Sequence, residues 1–123
     1  MIVRISINVL RVSVLLALVL GILFWTGNAF ALVPTHMLLG TLVFLSLWVL
    51  GALTITRRGA VGLAVGAFVL GLVLPFVGVN QVSWVVGPTH WIIQIFHLCL
   101  GLGAIGYGEL LVSRSRSLQA KSV

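Results

Sequence analysis

The sequence predicts an all-α, integral membrane four-helix bundle of up-and-down topology, and three observations carry that prediction. The first is composition. The 123 residues are 61% hydrophobic and only 7% charged, with a mean hydropathy of +1.30, whereas a soluble domain carries about 25% charged residues. The second is segmentation. Apolar runs at 10–26, 35–55, 60–77 and 89–112 approach the ~20 residues that cross a bilayer as a helix, and they fill the chain as one transmembrane domain. The third is the placement of charge. Arg4 and Arg11 precede the first run, Arg57 and Arg58 join the second and third, and Arg114, Arg116 and Lys121 follow the fourth. All seven basic residues therefore fall on one side, and the positive-inside rule places both termini in the cytoplasm, in a cell membrane of the bacterial inner-membrane kind. Basic residues divided among span ends do not form a phosphate-binding face, so the net charge of +6 does not indicate a nucleic-acid partner.

Each element has its own signals. The first span ends at Phe24-Trp25, where Thr26-Gly27-Asn28 breaks the run. A basic start, an apolar core and Ala29-Phe30-Ala31 also fit a secretory signal with an A-x-A cleavage site, but the bulky aromatic end argues for a retained span. Pro34-Thr35 opens the second span, with Thr35 as the expected cap. On this span Phe44 and Trp48, four apart, read as a packing stripe. The basic turn at Thr56-Arg57-Arg58-Gly59 leads to the third span. There Gly62 and Gly66 form a G-x-x-x-G that permits close helix contact, and Pro75 is expected to kink or end the helix. Residues 78–88 form an uncharged loop ending in Gly-Pro, with Trp84 and Trp91 suited to the membrane interface. The fourth span leads into a flexible cytoplasmic tail at 113–123. The lone Cys99 reads as a small packing residue.

The chemistry-bearing residues concentrate at the start of the fourth span. His90 and His97 are seven apart and Gln94 lies between them, so one face of a helix would carry all three. Polar groups at this depth are costly and mark functional candidates. Two echoes tie them to His36. Pro34-Thr35-His36 repeats as Pro88-Thr89-His90, which divides the chain into two hairpins related as a rough repeat. His36 also begins an H-x-x-x-G ending at Gly40, and His97 begins another ending at Gly101. A glycine one turn after a ligating histidine leaves room for a flat macrocycle.

These features predict a membrane haem b-type protein with bis-histidine ligation, serving electron transfer. His36 and His97 are the iron ligands and His90 is the other candidate partner of His36. His90 and Gln94 are further placed to hydrogen-bond a propionate, a quinone or a ligand nitrogen. The partners expected are the lipid bilayer, a quinone or a redox protein, and a second copy of the chain. The alternative is a cofactor-free structural or accessory membrane subunit whose histidines serve helix packing or an assembly interface. Copper or zinc held by the three histidines has no nearby carboxylate to complete a site. Enzymatic chemistry has little support, because Glu109 is the only acidic residue, lies twelve positions beyond His97, and is expected to pair with Arg57, Arg58 or Arg114.

Thr35-His36-Met37-Leu38-Leu39-Gly40, with His97 or His90 as its counterpart, resembles a run in one four-helix half of haem A synthase-type proteins. That resemblance implies histidine ligation of haem near the outer side of even-numbered helices. The family's full-length members have two such halves and an acidic catalytic residue near the haem. This sequence has no counterpart to that residue, so the resemblance implies a single-haem bundle and not haem A synthesis.

Overall fold

A computed structural model describes residues 1–56 and 59–120 of the chain, with the side chains of 118–120 excepted. Arg57, Arg58 and Lys121, which the charge pattern includes, lie outside the described residues. The order of elements is α1 (Ile2–Trp25), a 3₁₀ turn at Phe30–Leu32, α2 (Val33–Ile55), α3 (Val61–Asn80) and α4 (Trp91–Ala120). The described residues contain no strand. The fold is the expected up-and-down four-helix bundle, and all four helices are long and apolar enough to cross a membrane. Only 22% to 33% of each span's most apolar stretch is buried. The outward remainder includes Val12, Leu16, Val19, Val65, Val69 and Leu72, all at least half exposed. Side chains of this kind have lipid, not water, as their compatible surroundings.

Backbone chemistry sets the helix ends. Thr26 caps α1, and Gly27 follows with φ +80°. Asn28 N–H donates to the Leu23 carbonyl at 2.8 Å and Gly27 N–H to Phe24 at 3.0 Å. This is the Schellman pairing, which requires a left-handed residue at the position Gly27 occupies. At α2 the cap is Leu32, with no side-chain hydrogen bond, and Pro34 occupies the first turn. Thr35 therefore lies inside the helix and is not its cap. The preceding 3₁₀ turn brings the chain into helical geometry, and Pro34 needs no donor there.

Four other bounds differ from the sequence expectation, the first being α1, which begins at Ile2 and not near residue 10. Pro75 does not end α3, which continues to Asn80; proline removes one N–H, while the apolar surroundings leave every other backbone group to seek its partner within the helix. Gly78 consequently belongs to α3 and not to the loop. The fourth helix begins at Trp91, with Pro88-Thr89-His90 in the turn before it. It also extends past Ser113 to Ala120, with Ser113 and Ser117 each donating to a carbonyl three residues back.

The bundle closes in sequence order. α2 packs extensively on α1 and α3, while α4 lies against α1 and α3 and, across the diagonal, α2. The buried core gathers Ile7, Leu10 and Val14 from α1, Val43, Leu47 and Leu50 from α2, Ala67 and Leu74 from α3, and Ala104, Leu111 and Val112 from α4. Most of these residues lie in the half of the bundle that carries the basic residues. α1 is thus built into the core. Side-chain ties between helices fall in the basic half and at mid-bundle. The Trp48 indole donates to the Phe68 carbonyl at 3.2 Å, and the Tyr107 hydroxyl donates to the Leu63 carbonyl at 3.0 Å. Thr54 and Ser115 hydroxyls meet at 3.3 Å. Glu109 pairs with Arg11 at 2.6 Å, because α1 lies alongside its face; of the expected partners Arg57, Arg58 and Arg114, the first two lie outside the described residues.

Glycines admit these contacts. Of the G-x-x-x-G pair, Gly66 receives the Tyr107 ring, and a Cβ there would collide with it. Gly62 has nothing within 4 Å, so only one of the pair serves close packing. Gly71 accommodates Trp48, whose Cδ1 would stand 2.8 Å from a Cβ. Phe44 and Trp48 form the expected stripe, with ring centres 4.7 Å apart. Cys99 is exposed, so it faces outward and does not pack in the interior.

Candidate functional site

α2 and α4 run in the same direction on opposite corners of the bundle, and each carries a histidine near its start. His36 lies one turn into α2 and His97 two turns into α4. The fold brings their rings together across the diagonal, with centroids 6.3 Å apart and planes inclined by 53°. Both residues are half-buried. The flanking helices supply notches for them. The Cε1 edge of His36 is 3.8 Å from where a Cβ of Gly21 would stand, next to the Ala17 backbone one turn earlier on α1. The Cε1 edge of His97 is turned on Gly78 of α3, where a Cβ would lie only 2.9 Å away. Phe24 completes the wall, meeting the His36 ring edge-on at 5.4 Å and stacking on Phe30.

Nδ1 of His36 and Nδ1 of His97 are both buried without a hydrogen-bond partner. An unsatisfied buried polar group costs about 1–3 kcal/mol, and native folds rarely leave such atoms unexplained. Two of them, on neighbouring rings inclined by 53°, form one feature. Two imidazoles holding one iron at about 2 Å each, with about 1.1 Å from nitrogen to ring centre, have centroids about 6.2 Å apart. The observed separation matches that requirement. The Cε1 edges, however, point at the glycine notches. Turning either ring about χ2 presents a nitrogen to the space between them, and this torsion is broad. The pair thus meets the separation, but not the ring orientation, of two imidazoles on one metal.

The other residues singled out by sequence fall elsewhere. His90 is in the turn before α4, where its Nδ1–H donates to the Trp84 carbonyl at 3.3 Å. Trp84 packs edge-on against Phe76 at 5.6 Å, so His90 closes the α3–α4 connection on itself. It is not brought to His36. Gln94 lies between the two, half-buried, on the turn before His97. Gly40 and Gly101 are partly covered, yet a Cβ on either would meet no atom within 4 Å, so open space adjoins both ligand candidates one turn along their helices. No group of three or more His, Cys, Asp or Glu that could hold a metal occurs among the described residues, which removes the three-histidine copper or zinc site.

Sequence reasoning missed Gly21, Gly78 and Phe24. Ala17-x-x-x-Gly21 is a small-x-x-x-small pattern that could have marked a helix notch. Gly78 carried no signal, since Pro75 argued that the helix had ended. No family model, no curated protein and no solved structure matches this chain.

Proposed function

We propose that this protein is a b-type haem-binding membrane protein in which His36 and His97 ligate the iron, and that it serves one-electron transfer. One observation carries the proposal: two imidazoles from diagonal helices, 6.3 Å apart, each with a buried Nδ1 that has no partner. A haem bound there supplies reversible one-electron exchange. The chain's own residues hold the two imidazoles in register, exclude water with Phe24 and the apolar helix faces, and leave space beside Gly40 and Gly101 for a flat ring. Gln94 and the free Nε2 of His90 stand at the mouth, where propionates would emerge. By the positive-inside rule the histidine end is the outer end and both termini are cytoplasmic. A quinone or a redox protein at that face is the electron partner in this reading, and the ligand pair lies within one copy of the chain.

The test is an absorption spectrum of the protein purified in detergent, oxidised and reduced, with and without added haem. A low-spin bis-histidine spectrum is expected. It should be lost in His36→Ala and in His97→Ala and kept in His90→Ala. A protein that stays colourless with added haem is the cofactor-free accessory subunit instead. Loss of the signal in His90→Ala with retention in His97→Ala would assign the partner of His36 to the Pro-Thr-His repeat.

A further inference from the structure

At the opposite end of the bundle, the start of α1 and the end of α4 enclose a half-open groove of about 950 Å³. Arg4 and Asn8 line it from α1, Ser115 and Arg116 from α4, and Val3 and Val112 contribute apolar lining. Two guanidinium groups from different helices therefore share one cavity. The chain holds a single acidic residue, Glu109, and the Arg11 guanidinium already engages it at 2.6 Å. Arg116 feels the Glu109 charge from two turns away, while Arg4 has no carboxylate partner among the described residues. The groove is thus cationic with hydroxyl and amide donors beside it, and it sits at the ends of two helices long and apolar enough to cross a membrane, where headgroups flank a span.

We infer that this groove seats the phosphate of an anionic glycerophospholipid, with its acyl chains running down the exposed apolar faces of α1 and α4. The charge balance argues for an anion, since a guanidinium fork matches phosphate geometry. The apolar lining and the membrane depth argue for a lipid over a free phosphate, and basic pockets between spans are suited to such headgroups. The inference is independent of what the histidines bind.

Native mass spectrometry of the full chain in detergent tests it, with phosphatidylglycerol, phosphatidylcholine and inorganic phosphate titrated separately. Phosphatidylglycerol should be retained in preference to phosphatidylcholine. Arg4→Gln and Arg116→Gln should each weaken that retention about fivefold. Arg114→Gln, outside the groove, should leave it unchanged. Each variant's melting temperature in phosphatidylcholine alone checks its fold, and the two single variants give independent readings. Equal weakening by all three variants would overturn the site in favour of diffuse surface attraction. Retention of inorganic phosphate at the same concentration as the lipid, lost in the same two variants, would overturn the lipid assignment.

Discussion

Toward the basic end, Leu10, Leu47 and Leu111 have no exposure at all, and hydroxyls, an indole and an ion pair tie helix to helix. Toward the histidine end, no residue of α1 beyond Val14 and none of α2 before Val43 is buried. The interior there is reduced to Leu74, Val77 and Ile93. Its inward polar groups include the two imidazoles, whose buried Nδ1 atoms have no hydrogen-bond partner. One half thus follows the rules of a close-packed interior, and the other leaves space and orphaned donors in one place. Marginal packing of this kind is expected where an element is built around a ligand and not for stability alone.

Substitutions measured by unfolding in detergent sharpen this contrast. The largest effect belongs to Leu47→Ala in the packed half, which should cost about 2–5 kcal/mol; a loss under about 1 kcal/mol would mean that the two halves do not differ. Gly66→Ala displaces Tyr107 and breaks its bond to the Leu63 carbonyl, a loss of about 1–3 kcal/mol. Gly101→Ala, facing open space, should change the haem-free protein by no more than about 0.5 kcal/mol. In the open half the sign reverses. His97→Leu removes an unpartnered buried nitrogen, so the haem-free protein should gain about 1 kcal/mol while the haem spectrum disappears. Destabilisation of the haem-free form by His97→Leu would show that the ring already serves packing. Gly27→Ala strains a φ of +80° at the end of α1 and should cost about 1 kcal/mol or less, more than Gly101→Ala, the smallest of the set.

The bundle was legible in the sequence because a bilayer imposes length and apolarity on every span, and those survive any detail of packing. The juxtaposition of His36 with His97 was one of two that the sequence left open, the other being with His90. What was not legible depends on contacts between helices. Nothing in the pattern around Glu109 distinguishes Arg11 from Arg114, since that choice depends on which helix lies alongside. His90 shares Pro-Thr-His with His36, but its proline leads into a separate turn, and Trp84 takes its nitrogen. The residues 113–120 read as a tail by polarity, yet hydroxyl–carbonyl bonds along the helix and the contact with Thr54 fit them to continue it.

The Tyr107–Leu63 bond has a mechanical consequence. It pins α4 to the first turn of α3 in the basic half, and Arg11–Glu109 holds α4 to α1 close by. The arm of α4 from Tyr107 to His97 is ten residues, about 15 Å at about 1.5 Å per residue. A tilt of about 10° around that pivot carries His97 sideways by about 2.6 Å on an ideal helical arm. The hydroxyl of one tyrosine thus acts as a fulcrum, and the spacing of the two imidazoles gauges the lean of a single helix.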